Sequence, residues 1–340
     1  MKIAIAIVSL HLICAASVAA QDTGLVAAGD ARPVLRPDGT YFFNHLPSSK
    51  LVFEGQIAPR IIIIDSIADA ADRVLEGGTH WGMSLSTTPM VKLRMFREAS
   101  SPVRTPSYMP KGNIQFLRLR NLNADATPEK VAFQGPIETL FIDIIPFGHH
   151  SNGQNGCLFT NQTRNAEGEC VVTSAGPAVV NKVDGSFSTN YVEAGVHYGR
   201  LHLRSGPDDF RTKAEWRVGG GVQLNPSGFL GGGIDDELKD LYGQTRVFFE
   251  ANTAVRDFSV CGRAESTVNL QYIRSAPASI PSLIASIEGT CLPKKWGGSG
   301  LFFKFYRGQD YYNLGFAEKI QQLQFGFTLQ RATFLSFAIP

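Results

Sequence analysis

The sequence predicts an all-β chain, a transmembrane antiparallel β-barrel, and three observations predict it. The downstream half alternates apolar and polar residues with period two. The first twenty residues read as an export signal. Beyond them, no stretch approaches the roughly 20 consecutive apolar residues that a membrane helix requires, so a membrane would be crossed with strands. The 34 Gly and 23 Phe, against 3 Trp, fit a barrel better than a helical protein.

At the N-terminus, Lys2 places a positive charge ahead of Ile3 to Cys14, a short and almost wholly apolar run. Val18-Ala19-Ala20 then supplies the small residues that signal peptidase recognises, so residues 1–20 are read as a signal peptide and the exported chain starts at Gln21. The run is too short to anchor the chain, and polar Gln21, Asp22 and Thr23 follow it directly. Residues 21–49 have weak periodicity and several Asp, Gly and Pro, and are read as an N-terminal extension ahead of a barrel over 50–340. Arg60-Ile61-Ile62-Ile63-Ile64-Asp65 is apolar for only four residues between charges. Residues 66–78 carry Ala and Asp at helical spacing, which predicts a short helix in a loop.

The strands are clearest downstream. Trp216, Val218, Gly220, Val222 and Leu224 alternate with Glu215, Arg217, Gly219, Gly221 and Gln223. The same pattern runs through 267–272 and 322–329, the latter with Leu323, Phe325, Phe327 and Leu329 on one side. Period two defines one apolar and one polar face. It does not decide whether the apolar face points into a sandwich core or outward to lipid. The export signal, the Gly on the polar faces and the repeated aromatics favour the outward arrangement. After the signal, four cysteines remain: Cys157, Cys170, Cys261 and Cys291. An even number in an exported chain suggests two disulfides, with three connectivities open. Sequence proximity favours Cys157–Cys170 and Cys261–Cys291, and free buried thiols are the alternative. The net charge of +2 gives a nucleic-acid partner no electrostatic support.

Chemistry concentrates in Phe147-Gly148-His149-His150-Ser151-Asn152-Gly153. In an extended chain His149 and Ser151 point to one side, placing an imidazole beside a hydroxyl, while His150 points to the other. A serine hydroxyl becomes a nucleophile when a base takes its proton, and histidine suits that task near neutral pH. Taken alone, a His-x-Ser in polar surroundings is more often a solvated loop. Asn190 heads an apolar face with Val192, Ala194 and Val196. It orients the His149 ring if the two strands are neighbours, and otherwise sits in an interfacial turn. Strict alternation would also put Asp143 on the His149 face, unless a β-bulge near Pro146 moves it away.

His149-His150-Ser151-Asn152-Gly153 resembles the His-x-Ser-Asn-Gly active-site motif of the outer-membrane phospholipase A family, whose fold is a twelve-stranded barrel. Ser186-Phe187-Ser188-Thr189-Asn190 resembles that family's Ser-x-Ser-x-Asn, and Ser100-Ser101-Pro102-Val103-Arg104 with Tyr108-Met109-Pro110 resembles its Ser-Ser-Pro-x-Arg and Tyr-x-Pro. Gly308-Gln309-Asp310-Tyr311-Tyr312-Asn313 is similar to a segment ending in Tyr-Asn. The four matches occur in order along the chain.

The resemblance implies twelve strands in the outer membrane of a Gram-negative bacterium, and calcium-dependent hydrolysis of phospholipid acyl esters. It implies Ser151 as nucleophile, His149 as base, Asn190 as its orienter and the Gly153 N–H as oxyanion donor. It also implies a homodimer, with calcium held by the Gln154 carbonyl, the Ser186 hydroxyl and Ser100 of the partner subunit. Two departures are expected to matter. Thr105 replaces the family's acidic residue and puts the strength of the calcium site in question, and a long insertion carrying Cys157 and Cys170 separates His149 from Asn190. The rival readings are a lipid A deacylase-type esterase, for which Glu193 is the nearby carboxylate but lies on the opposite face from Asn190, and a non-catalytic porin-like barrel.

Overall fold

The computed structural model describes residues 40–45, 51–75, 77–97, 103–122, 136–205, 210–231, 234, 238–258, 260–274, 282–296, 299–329 and 334–336. The signal peptide, residues 21–39 of the extension, and Ser100 lie outside the described residues.

The N-terminal half supplies β1 Thr40–His45, β2 Leu51–Ile57, β3 Arg60–Asp65, α1 Ile67–Leu75, β4 Thr79–Thr88, β5 Val91–Phe96, β6 Ser107–Tyr108, β7 Lys111–Asn121 and β8 Pro136–Ser151. A small hairpin, β9 Gln162–Arg164 with β10 Cys170–Val172, stands in the insertion. Then follow β11 Ser188–Ser205, β12 Phe210–Leu224, α2 Lys239–Tyr242, β13 Thr245–Phe258, β14 Cys261–Arg274, β15 Leu283–Leu292, β16 Ser299–Gln309 and β17 Lys319–Leu329. β2 runs into β3 across Ala58-Pro59, β4 into β5 across Pro89-Met90, and β6 into β7 across Met109-Pro110. Proline has no N–H for the ladder, so each of these pairs is one bent stave.

Twelve staves result, each antiparallel to the next in sequence, and β17 returns to β1 to close the cylinder. β1 falls inside the segment read as an N-terminal extension. That boundary is corrected to place Thr40–His45 in the barrel wall, between β17 and β2. Its Tyr41-Phe42-Phe43 run has no alternation to reveal it, and the pairing that makes it a strand comes from the far end of the chain.

The two faces differ in chemistry. Glu54, Gln56, Ser84, Ser86, Thr88, Arg94, Asn113, Gln115, Glu250 and Gln324 are buried inside. Val196, Val218, Val222, Phe249, Leu270, Ile287, Phe303, Leu323, Phe325 and Phe327 are exposed on the outside. A polar interior behind an exposed apolar wall is the inverse of a soluble sandwich and is the arrangement of a transmembrane barrel.

Both ends are filled. At the end where β3 stops, Asp65 Oδ1 accepts the Ile67 N–H at 2.9 Å and starts α1. Ile67, Ala70, Ala71 and Val74 recur at helical spacing and pack on the inward residues Leu117, Leu119, Ile137, Phe141 and Leu201. Gly82 allows the close approach, since a Cβ there would lie 2.7 Å from the Ile67 Cα. The helix expected in a loop is therefore a plug inside the barrel. At the opposite end, where β8 finishes, the insertion and the β12–β13 and β16–β17 connections share a second core of Leu158, Phe159, Phe187, Ile234, Leu238, Tyr242, Leu314 and Phe316.

Cys157–Cys170 ties the insertion and Cys261–Cys291 joins β14 to β15, the pairing that proximity favoured. Replacing Cys261 and Cys291 with serine releases a closure of sequence separation 30. On the chain-entropy estimate this lowers the unfolding free energy by about 3–4 kcal/mol, while the β14–β15 ladder still forms. Urea titration of the oxidised wild type and the double variant checks this, and identical midpoints would refute it.

Candidate active site

The site is built where β8 meets β11. Up to Ile145, residues 137, 139, 141, 143 and 145 face inward and the even-numbered ones outward. Pro146 and Phe147 are then both exposed, and the register shifts: Tyr191 pairs with Gly148, but Glu193 pairs with Ile145. This is the bulge that the sequence left open, at a proline that cannot donate to the ladder. It places Asp143 inside, 7% exposed, and turns His149 and Ser151 outward. His150 faces inward, where its Nδ1 lies 3.1 Å from the Tyr242 hydroxyl and its ring packs edge-on against Phe187.

The β8–β11 register sets Asn190 directly opposite His149, and Ser188 opposite Ser151. Asn190 Nδ2 donates to the Phe229 carbonyl at 2.8 Å, which fixes the amide so that Oδ1 faces the imidazole. His149 Nδ1 lies 2.6 Å from that oxygen. Oδ1 only accepts, so the ring proton sits on Nδ1 and Nε2 is left as the basic nitrogen. Phe229 belongs to the β12–β13 connection, and no side-chain pattern marks its carbonyl as a lock.

Ser151 is half-buried on the same side as His149. Among the described residues its hydroxyl makes no hydrogen bond to His149; such contacts often tighten only when substrate is bound. Tyr108 pairs with Ser151 across the ladder, and its ring lies against Gly153. Gly153 is exposed with φ +64, a left-handed conformation that suits glycine. Glu193 lies on the same side of β11 as Tyr191, Gly195 and His197, the inward side, and not with Asn190.

Residues 152–156 run alongside 184–187, which puts Gln154 and Ser186 on adjoining segments. Gly156 N–H donates to the Asp184 carbonyl and Ser186 N–H to the Gly156 carbonyl, both at 2.9 Å. The Gln154 carbonyl and the Ser186 hydroxyl are neutral oxygens, the donor type a hard cation takes. Among the described residues, no cluster of three or more His, Cys, Asp or Glu forms a metal centre. Thr105, in the acidic position of the resembling family, accepts a hydrogen bond from the Gln154 side-chain amide. Its carbonyl accepts the Tyr312 hydroxyl at 2.9 Å. Burial pushes the Tyr312 phenol up to about 12, so it remains a donor over the working pH range.

No protein-family model matches the chain, and no curated protein does. Among solved structures, outer membrane phospholipase A from Escherichia coli is similar at 12% identity and a TM-score of 0.45, with 92% of this chain and 95% of that one covered. A Salmonella typhi outer membrane phospholipase dimer with bound calcium is similar at 13% identity and a TM-score of 0.43, with 90% and 98% covered.

Proposed function

We propose that this chain is an outer-membrane hydrolase that cleaves acyl esters of the phospholipids around it, with Ser151 as nucleophile, His149 as base and Asn190 as the residue that orients the base. The observation that carries this reading is the 2.6 Å contact between His149 Nδ1 and Asn190 Oδ1 on the lipid-facing side of β8, with Ser151 on that same side. Ser151 Oγ attacks the ester carbonyl carbon while His149 Nε2 takes its proton. The Nδ1–H held by Asn190 keeps the ring in place as it becomes cationic. The negative charge on the former carbonyl oxygen is met by the Gly153 N–H. Collapse expels the lysophospholipid alkoxide, which takes the proton from His149. Water, deprotonated by the same nitrogen, then releases the fatty acid from Ser151.

Calcium bound by the Gln154 carbonyl, the Ser186 hydroxyl and Ser100 of the partner subunit would add positive charge near the oxyanion. In the dimer that this implies, each site is completed across the subunit interface. The deacylase reading needs a carboxylate beside His149, and Glu193 faces the other way. A porin reading needs an open lumen, and α1 occupies this one.

The test is fatty-acid release from phospholipid micelles by the purified dimer, with calcium and with excess chelator, and with lipid A in parallel. Release from phospholipid is expected, abolished by chelator, with Ser186→Ala raising the calcium requirement. Full activity in chelator would refute the calcium site, and release from lipid A alone would refute the substrate.

A further inference from the structure

Two amides, one buried and one half-buried, join three parts of the site. Asn152, only 1% exposed, has both side-chain atoms engaged. Its Nδ2 donates to the Gly185 carbonyl at 2.7 Å and to Asn313 Oδ1 at 2.9 Å. Its Oδ1 accepts the Phe187 N–H at 3.0 Å and the Gln154 N–H at 3.3 Å. Asn313 has φ +47, a left-handed conformation uncommon for any residue with a side chain but better tolerated by Asn. Its N–H donates to Ser107 Oγ at 2.8 Å and its Nδ2 to the Thr105 carbonyl at 2.9 Å. Its Oδ1 also accepts the Leu314 N–H at 2.7 Å. The segment before it is anchored across the lumen, where Asp310 pairs with Arg94 at 2.7 Å.

We propose that Asn152 and Asn313 are positioning residues, an amide–amide clamp that holds the Gly153 N–H in line with Ser151 and ties it to the strand carrying Tyr108. The inference rests on the hydrolase reading above. The loop at 152–154 leaves β8 immediately after the nucleophile, and Gly153 in the middle of it has no side chain to hold it. Its position is therefore set by the neighbours on either side, and both Asn152 and the Gln154 N–H are held by the Asn152 amide. Preorganisation of this kind has large leverage, because displacing a reacting group by about 1 Å costs on the order of 100-fold in rate.

The experiment compares wild type, Asn313→Gly, Asn152→Ser and the double variant in phospholipid micelles. Glycine at 313 keeps the left-handed backbone and deletes only the amide, so the barrel should still assemble, read as faster migration of unheated protein on a gel. The expected result is a fall in kcat of roughly 10- to 100-fold for Asn313→Gly, with KM little changed. Labelling of Ser151 by a long-chain fluorophosphonate should slow by a similar factor. The double variant should fall no further than the worse single variant, since both remove one shared contact. A kcat for Asn313→Gly within about twofold of wild type, or single losses that multiply in the double variant, would overturn the clamp. If Asn152→Ser does not assemble, the rate and labelling of Asn313→Gly decide alone. A wild type that neither releases fatty acid nor takes the label removes the hydrolase reading and the clamp together. An active wild type with an unaffected Asn313→Gly removes the clamp only.

Discussion

Ser151→Ala is expected to bring fatty-acid release from phospholipid micelles to background, a loss of roughly four to six orders of magnitude in kcat. His149→Ala should cost about as much, because nucleophile and base act as one unit and their losses do not add. Asn190→Ala should keep measurable activity. A neutral amide fixes the ring and its tautomer but contributes little charge stabilisation to the imidazolium. The variant also strands the Phe229 carbonyl, which now accepts from Asn190 Nδ2 at 2.8 Å, so some loosening of the β12–β13 connection should accompany it.

His150→Ala and Glu193→Gln are the contrasts, since both residues sit on the inward side. Glu193→Gln should leave the rate near wild type. His150→Ala should mainly weaken the second core at the end where β8 finishes, where its ring packs on Phe187 and Tyr242. The initial rates of these five variants under saturating calcium are the measurement. An inactive Glu193→Gln beside a near-normal Asn190→Ala would replace the proposed assignment with a deacylase-type triad.

The second large effect is on stability. Arg94 is 3% exposed, with Nε 2.5 Å from Glu54 Oε2 and Nη1 2.7 Å from Asp310 Oδ2. The rings of Tyr311 and Tyr312 flank its guanidinium at 4.9 and 4.7 Å. Arg94→Ala leaves two carboxylates facing each other without a cation and should destabilise the barrel by about 3–5 kcal/mol. Arg94→Met combined with Glu54→Gln and Asp310→Asn should recover most of that loss. The cost lies in the unpaired buried charge more than in the missing contact. Urea unfolding in lipid vesicles, followed by tryptophan fluorescence, compares the two. Equal midpoints for Arg94→Ala and the triple variant would show that packing around the guanidinium, not charge, holds this region. Because Asp310 opens the segment that carries Asn313, Arg94→Ala should also slow hydrolysis by folded protein.

Several features of this protein are local enough to be read from the chain itself. Strict alternation over 216–224, 267–272 and 322–329 marks strands because side chains on a pleated strand point to opposite sides in turn. The same rule puts His149 and Ser151 together and His150 apart. Helical spacing over 66–78 marks α1, and short sequence separations pair the cysteines. Other features depend on which strand lies beside which, and no local period carries that.

Alternation from Asp143 runs straight to His149. Only the pairing of Gly148 with Tyr191 and of Ile145 with Glu193 reveals the extra residue that separates their faces. Asn190 meets His149 because β8 and β11 form a ladder across the whole insertion, so the contact is set by register rather than by distance along the chain. β1 is a strand because β17 supplies its partners, and α1 is a plug because the barrel closes around it. The Phe229 lock and the Asn152–Asn313 contact join residues 39 and 161 positions apart. Sequence period determines which side of its own strand a residue faces, whereas partners are chosen by long-range hydrogen bonding and by the volume the closed barrel leaves to be filled.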